Sequence, residues 1–302
     1  MFTSVRLACF LLLLSFLIAA EKPSTETKII VLGIAQDGGI PQIGCTQEIC
    51  RTQRHFVSSL AIIHQQSIYL IDATPDLREQ YQELIKRQPE ISKNTLFDGI
   101  FLTHAHMGHY TGLMFLGKES ISTKNTPVYC SAEMAAFLSN NAPWKLLVTN
   151  KNIELKQFES SRQIDLGFKI TPLSVPHRKE FTDTHGFLIE GTKKSLLYIP
   201  DIDAWEPVQD SLKQWFQKAN FALLDGTFYS GDELPGRNMK LVPHPTVEHS
   251  IAFFRGFPKF QTEIFFIHLN HTNPLLLPES TQSKALMSAG YRMAVDWQEF
   301  SL

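Results

Sequence analysis

The sequence lacks an excess of charge of either sign. Its 302 residues carry 28 lysines and arginines against 30 aspartates and glutamates, and both signs are spread along the chain. Because nucleic acids and anionic membranes attract clustered positive charge, this balance leaves no evident footprint for either partner. Internal repeats, low-complexity tracts and an interdomain linker are lacking as well. The length fits one large α/β domain with an ample core.

Long hydrophobic stretches are also scarce, and the one at the start of the chain, residues 7–20, follows a single cation, Arg6. It predicts a secretory signal peptide over residues 1–20, a single domain over residues 21–302, and a periplasmic or secreted protein. The stretch is short for a transmembrane helix, and no integral membrane segment is expected after cleavage. Ile18 stands where signal cleavage prefers a small residue, so an uncleaved membrane anchor is the alternative.

Strand-like and helix-like patterns alternate along the rest of the chain, which predicts an α/β fold. Helices are predicted at residues 75–87, 131–140, 206–220, 246–254 and 280–289. Strands are predicted at residues 28–32, 60–63, 68–71, 100–102, 126–129, 170–175, 196–199 and 222–224. This periodicity fits either two sheets between helical layers or one open, doubly wound sheet.

Three histidines, His104, His106 and His109, directly follow the apolar run 99–103. The run predicts a buried strand, which places the histidines on the loop that leaves its C-terminal end. Alternate residues of an extended loop point the same way, so His104 and His106 can reach one ion while His109 faces a neighbouring ion. Because neutral imidazole is a common ligand for zinc and iron, the pattern predicts a metal site.

Three further apolar runs end in a potential ligand, namely His177, Asp201 and His268. Side chains at several strand ends of an α/β protein converge at the carboxyl edge of the sheet, where such proteins build their sites. These three residues are therefore expected to join the histidines of the loop.

Each of these three has a competitor nearby in the sequence. His185 competes with His177, but it opens the next apolar run instead of ending one. Asp203 is expected to be a solvated helix cap. His271 is expected to support the ligands or to face the substrate.

The order of these residues resembles the metallo-β-lactamase-fold hydrolases over essentially the whole chain after residue 20. That family's first motif, an aspartate closing an early strand, is present as Asp72. The resemblance implies a four-layer αββα sandwich that binds one or two zinc ions, with iron or manganese as alternatives. It implies one metal held by His104, His106 and His177, a bridging Asp201, and a second metal held by His109 and His268.

The resemblance also implies an exported metal-dependent hydrolase in which metal-bound hydroxide attacks an ester, because a divalent ion lowers the pKa of bound water from ~15.7 to about 7. A small anionic phosphodiester is the first expected substrate, since His244 matches a histidine with which phosphodiesterase members assist the leaving group. His244 and Asp201 are thus the expected catalytic residues. A polar surface role is the alternative for His244. A homodimer is a further expectation.

Within the superfamily the chain is similar to the PQQ-biosynthesis protein B group. The similar stretches are residues 32–42 with Cys45, 72–78, 224–227 and 267–274. This resemblance implies, as an alternative, an iron-dependent oxidative or cofactor-maturation role. The biosynthetic members usually lack the complete pair formed here by His104 and His106, and that pair is typical of the hydrolytic members.

Gly108 departs from the family, because hydrolytic members carry an aspartate at that position. The absence of that aspartate predicts either a weakly occupied second metal site or a substrate with an anionic group. It also supports a third alternative, a binding or carrier protein with weakened catalysis. A structural alternative is that glycine allows a tight turn between His106 and His109.

The remaining candidates are two carboxylates and two cysteines. Asp72 and Asp225 are expected to hold the ligands through hydrogen bonds, although aspartate is also common in the turns that end strands. Cys45 and Cys50 are expected to form a disulfide in an exported protein, ahead of a zinc site or free thiols.

Overall fold

The computed structural model describes residues 26–91, 96–234, 236 and 238–302. The predicted signal peptide, residues 1–20, lies outside the described residues. Within them, no helix has both the length and the apolar character needed to cross a membrane. Two seven-stranded sheets pack against each other, and helices cover both outer sides. This arrangement confirms the predicted four-layer αββα sandwich and rules out the single open sheet.

The eight predicted strands are present near their predicted positions, beside others that were not predicted. The strands are β1 (Thr27–Gly33), β2 (Ser59–His64), β3 (Ser67–Ile71), β4 (Gly99–Phe101), β5 (Thr126–Cys130), β6 (Ile153–Gln157), β7 (Ile164–Asp165), β8 (Lys169–Val175), β9 (Thr184–Glu190), β10 (Ser195–Ile199), β11 (Phe221–Asp225), β12 (Glu263–Ile267), β13 (Arg292–Met293) and β14 (Glu299–Ser301). Of these, β6, β7, β9, β12, β13 and β14 are additional.

Each sheet combines a parallel half with an antiparallel half. The first sheet has the order β14–β1–β2–β3–β4–β5–β6, and β3 to β6 run parallel. The second has the order β13–β12–β11–β10–β9–β8–β7, and β10 to β13 run parallel. The carboxyl ends of parallel strands β4, β10 and β12 carry most of the predicted ligands, while His177 follows β8 in an antiparallel half.

The helices form the two outer layers. They are α1 (Glu48–Thr52), α2 (Leu77–Arg87), α3 (Met107–Tyr110), α4 (Ala132–Asn140), α5 (Trp144–Thr149), α6 (Gln209–Lys218), α7 (Val247–Phe254) and α8 (Thr281–Ser288), with 3-10 turns at Thr111–Leu116, Glu206–Val208, Met239–Leu241 and Pro274–Leu276. The helix predicted at 206–220 is thus a 3-10 turn followed by α6.

Strand β1 is apolar on both faces because each face packs against a core. Ile29 and Val31 pack in the core between the sheets, which also contains Phe187. Ile30 and Leu32 point the other way and join the core beneath α2, α4 and α5. Because successive strand residues alternate between faces, a strand covered on both sides reads as a continuous apolar run.

A disulfide joins Cys45 to Cys50 in the segment that links β1 to β2, and no sulfur of this pair is left for a zinc site. The thiol of Cys130, at the end of β5, is free and buried. Burial raises the pKa of this thiol to about 12.

Candidate metal centre

One group of ligand atoms comes from both sheets and is called here the first site. It consists of His104 and His106 after β4, His177 after β8 and Asp201 after β10, with all ligand atoms within 4.8 Å of one another. His177 Nε2 lies 3.1 Å from His106 Nδ1 and 3.2 Å from Asp201 Oδ1. His104 Nε2 lies 3.4 Å from Asp201 Oδ2. The structure thus brings together the four side chains that the resemblance assigns to one metal.

A neighbouring group, called here the second site, consists of Asp37, His109 and His268 and shares Asp201 with the first. Asp37 Oδ1 lies 3.3 Å from His109 Nε2 and 4.0 Å from His268 Nε2. Asp201 Oδ2 lies 3.8 Å from His109 Nε2 and 3.9 Å from His268 Nε2. Asp201 therefore stands between the two sites, as expected of a bridging carboxylate.

Asp72 orients the histidine loop. Its Oδ2 accepts a 2.7 Å hydrogen bond from His109 Nδ1, and its Oδ1 accepts bonds from the backbone and hydroxyl of Thr103. Thr103 Oγ1 in turn contacts His104 Nδ1 at 2.9 Å. When Nδ1 carries the proton, Nε2 of both histidines presents a lone pair to the centre, which is how metal-bound histidines are commonly held.

The second sheet repeats this arrangement. Asp225 Oδ1 accepts a 2.8 Å hydrogen bond from the Thr227 hydroxyl, which contacts His268 Nδ1 at 2.9 Å. The other oxygen of Asp225 accepts a 2.8 Å hydrogen bond from His244 Nδ1. Both carboxylates predicted to support the ligands are therefore fully buried acceptors beside them.

Asp203 differs from its expected role as a solvated cap. Its Oδ1 accepts a 2.7 Å hydrogen bond from His177 Nδ1, and its side chain is only 28 % exposed. On the other side of the first site, Glu180 Oε2 lies 3.1 Å from His106 Nε2 and is about half exposed. The position after a strand favoured Asp201 as the ligand, but it could not show that Asp203 turns towards His177.

Unpaired buried atoms show that these residues fit a metal. His104 Nε2, His109 Nε2, His268 Nε2, Asp37 Oδ1 and Asp201 Oδ1 are buried without a hydrogen-bond partner. A buried polar atom without a partner costs about 1–3 kcal/mol, so a cluster of five needs compensation. Imidazole nitrogens and carboxylate oxygens at these separations are the donor set that zinc prefers.

The charges around the site keep its carboxylates ionised, which is the form that binds a metal. Burial alone would raise the pKa of Asp201, but the neighbouring His177 and His244 hold it well below its usual range. Burial likewise opposes ionisation of Asp37, but His109 and His268 together hold the pKa of that carboxyl well below its usual range. Burial, followed by the charge of His109, lowers the pKa of His104 well below 6.5, so this imidazole stays neutral.

His244 lies beside the first site without belonging to it. Its Nδ1 is 3.3 Å from Asp201 Oδ1, and its side chain is 3 % exposed, so it is not a surface residue. Burial opposes protonation of His244, but Asp225 and then Asp201 raise its pKa to about 9. His244 lies in the segment between β11 and α7.

Two competing histidines stand apart from both sites. His185 Nε2 is 2.7 Å from the hydroxyl of Ser160, whereas His177 lies in the first site. His271 is partly buried, and none of the hydrogen bonds or ion pairs among the described side chains joins it to a ligand. Its supporting role stays a prediction.

Asp37 is the residue that the sequence analysis missed. It follows β1 in an irregular loop, far along the chain from the histidine motif. One signal was available, because Gly108 left the second site short of a carboxylate. That signal did not show which loop supplies a substitute.

Comparison with known proteins identifies the family. A family model described as a beta-lactamase superfamily domain matches residues 68–269. The chain belongs to this metallo-β-lactamase-fold superfamily. The coenzyme PQQ synthesis protein B of Bradyrhizobium diazoefficiens is 28 % identical over 316 residues, covering 91 % of this chain and 99 % of that protein.

Solved structures agree with the fold. The crystal structure of Zn²⁺-bound PqqB from Methylobacterium extorquens has a TM-score of 0.77 and 23 % identity, covering 91 % of this chain and 100 % of that chain. A new diphosphatase from the PhnP family has a TM-score of 0.65 and 21 % identity, covering 92 % and 97 %. The resemblance to the superfamily and to the PqqB group is therefore confirmed.

Proposed function

We propose that the protein is an exported, metal-dependent hydrolase that cleaves a small anionic ester, with a phosphodiester as the first substrate class. The observation that supports this proposal is His244, a buried histidine with a raised pKa placed against Asp201. A proton donor beside a metal-binding cluster is the arrangement that ester hydrolysis needs, since the leaving oxygen must be protonated.

Different residues would supply the nucleophile and the proton for hydrolysis. A divalent ion held by the first site would lower the pKa of a coordinated water to about 7 and so supply the nucleophile. Asp225 engages His244 Nδ1, which leaves the Nε2 proton for the leaving oxygen. Hydroxide, formed when that water releases a proton to solvent, would bond to phosphorus as the bond to the leaving oxygen breaks, and the leaving oxygen would take the proton of His244.

Arg178 supports an anionic substrate. It directly follows His177, and its guanidinium is close enough to lower the pKa of His244, against the larger opposite effects of Asp225 and Asp201. Its Nε is buried without a hydrogen-bond partner. Although Arg178 Nη1 lies 3.8 Å from Glu180 Oε1, the unpartnered Nε beside the site suits a non-bridging oxygen of a phosphate.

The comparisons and the N-terminus add support of different kinds. One similar structure is that of a diphosphatase, a name that denotes hydrolysis at phosphorus. Export is supported by the signal-like residues 1–20 and by the Cys45–Cys50 disulfide, since disulfides persist in oxidising compartments.

The test uses residues 21–302 loaded with zinc. We expect hydrolysis of bis-p-nitrophenyl phosphate to exceed that of p-nitrophenyl acetate and nitrocefin, and to disappear in His106→Ala, which loses a first-site ligand. The exposed Asp210→Asn variant is the matched control and should keep full activity. A metal-loaded protein that hydrolyses none of these compounds would contradict the proposal and favour a binding or carrier role.

The PqqB relatives favour a second candidate, an iron-dependent oxidative step in cofactor maturation. The supporting observation is the 28 % identity across nearly the whole length of both chains. The same histidines and carboxylates suit iron, because imidazole and carboxylate ligands bind it well. Anaerobic loading with iron followed by an oxygen-uptake assay separates the two candidates. Uptake by the iron form, with no ester hydrolysis by the zinc form, would select the oxidative role.

A further inference from the structure

We propose that Asp37 supplies the carboxylate that hydrolytic relatives carry at the position of Gly108, so that this chain completes its second metal site with a relocated ligand. This inference rests on the metal dependence in the proposed function, but it does not depend on hydrolysis. It assigns to a loop after β1 a role that the histidine motif fills elsewhere in the superfamily.

The atoms of the second site are arranged for one ion. Asp37 Oδ1 and Asp201 Oδ2 both lie within 4.0 Å of His109 Nε2, at 3.3 and 3.8 Å. The fourth atom, His268 Nε2, is 4.0 Å from Asp37 Oδ1 and 3.9 Å from Asp201 Oδ2. The side chains of His109 and His268 are fully buried, and their Nε2 atoms have no other partner. Two nitrogens and two oxygens therefore face a common point.

Gly108 and Asp37 occupy the same space. A Cβ atom at position 108 would lie 2.1 Å from Asp37 Oδ1 and 2.8 Å from Asp37 Cα, closer than real contacts allow. Gly108 lies in α3 and is not among the glycines with a left-handed φ angle, so the backbone conformation does not require glycine. The absence of a side chain at position 108 is what allows the carboxylate of Asp37 to enter the site.

The loop that carries Asp37 is fixed to the segment that carries His268. The backbone of Gln36 donates to the carbonyl of Leu269 at 2.9 Å, and Leu269 donates to the carbonyl of Ile34 at 2.8 Å. The side chain of Gln36 donates to Asp37 Oδ2 at 3.3 Å. Oδ2 is thus held by the protein while Oδ1 faces the site, as in a preorganised metal ligand.

Asp37 also changes the charge of the centre. Gly108 alone predicts a single carboxylate, Asp201, for two divalent ions. With Asp37 the ligand set contains two carboxylates, so its formal charge becomes one unit more negative. The expected weak second site, inferred from the missing aspartate, is therefore replaced by a site with a full set of four protein ligands.

The test is metal stoichiometry, measured by elemental mass spectrometry and by cobalt titration followed by absorption. We expect two ions in the unaltered residues 21–302. In Asp37→Asn and Gly108→Ala we expect one ion at the original affinity and a second bound at least tenfold more weakly. The methyl group of alanine at position 108 would displace the carboxylate of Asp37, so the two variants should agree. Circular dichroism establishes that each variant folds.

Two controls match these variants. Asp210→Asn removes an exposed carboxylate, and Gly38→Ala adds a methyl group whose three nearest atoms all belong to the flexible side chain of Gln42. Both should keep two ions. Two tightly bound ions in folded Asp37→Asn and Gly108→Ala would overturn the proposal, as would a single ion in the unaltered protein. A fall from two tightly bound ions to one in both variants would support the proposal even if no ester were hydrolysed. The absence of ester hydrolysis would contradict only the proposed activity.

Discussion

Asp72 accepts a 2.7 Å hydrogen bond from His109, and neither side chain is exposed to solvent. Asp72 holds this position with a φ angle of +68°, which is uncommon for a residue with a Cβ atom. Non-glycine residues in this region persist where surrounding contacts enforce them, and such residues are common at functional sites. The end of β3 is thus shaped to present a carboxylate to the histidine loop.

Asp72→Asn tests this connection. The amide keeps the size of the side chain but loses the charge that holds the proton on His109 Nδ1, so His109 Nε2 becomes a poorer ligand. We expect zinc to bind 10–100-fold more weakly, since supporting partners of metal ligands typically contribute that much. Competition with a chromophoric chelator measures the affinity. Unchanged affinity, beside an unchanged Asp210→Asn control, would show that Asp72 serves only the fold.

The choice between two histidines provides a second prediction. His177→Asn should abolish tight binding at the first site, because His177 Nε2 faces Asp201 at 3.2 Å. His185→Asn should keep its metal, because that ring contacts Ser160 instead. Since both side chains are buried, both variants should lose some stability, and metal content per folded chain is the readout. Metal loss from His185→Asn alone would reverse the assignment.

The architecture was predictable because buried strands and amphipathic helices leave clear patterns. Two of the elements that the sequence analysis missed show the physical reason. Strand β6 (Ile153–Gln157) is largely uncovered and has one buried residue, so it lacks an apolar run. Helix α5 (Trp144–Thr149) has six residues, too few to display a helical period. The choice of two sheets over one came from the family resemblance, because periodicity does not specify how strands pair.

The centre was predictable where a candidate ligand lies within three residues of the end of an apolar strand, because the strand fixes the approximate place of the residue. His104, His177, Asp201 and His268 all follow this rule. Asp37 does not, since its loop is placed by contacts such as that of Gln36 with Asn270, 234 positions away. Asp203 also escaped prediction, because the sequence does not state the direction in which a side chain points.

His244→Asn addresses catalysis. His244 is outside both groups of ligands, so metal content should be retained, while loss of the proton donor should lower kcat by roughly 10²–10⁴-fold. The loss should be smaller for p-nitrophenyl esters than for alkyl phosphodiesters, because a good leaving group needs less protonation. An equal loss for both leaving groups would argue against acid catalysis. Loss of metal would instead indicate that His244 supports the ligand Asp201.

The metal-free protein should lose stability as the pH rises from 6.5 to 9. Asp225 and Asp201 raise the pKa of His244 from 6.5 to about 9, although burial opposes this. The folded state therefore binds a proton that the unfolded chain releases, and the stabilisation present below pH 6.5 is lost as the pH approaches 9. One such group contributes a slope of up to about 1.4 kcal/mol per pH unit.

Urea unfolding of chelator-treated protein across this range measures the slope, and His244→Gln should reduce it. The slope should not vanish in that variant, because two other histidines have raised pKa values. Burial opposes protonation of both rings, but Asp72 raises the pKa of His109 and Asp201 raises the pKa of His177. Burial lowers the pKa values of His104 and His268, so these two rings oppose the slope only near pH 6.5, where the unfolded chain still protonates part of its histidines. A variant with the same slope as the unaltered protein would show that His244 is not protonated in the metal-free fold.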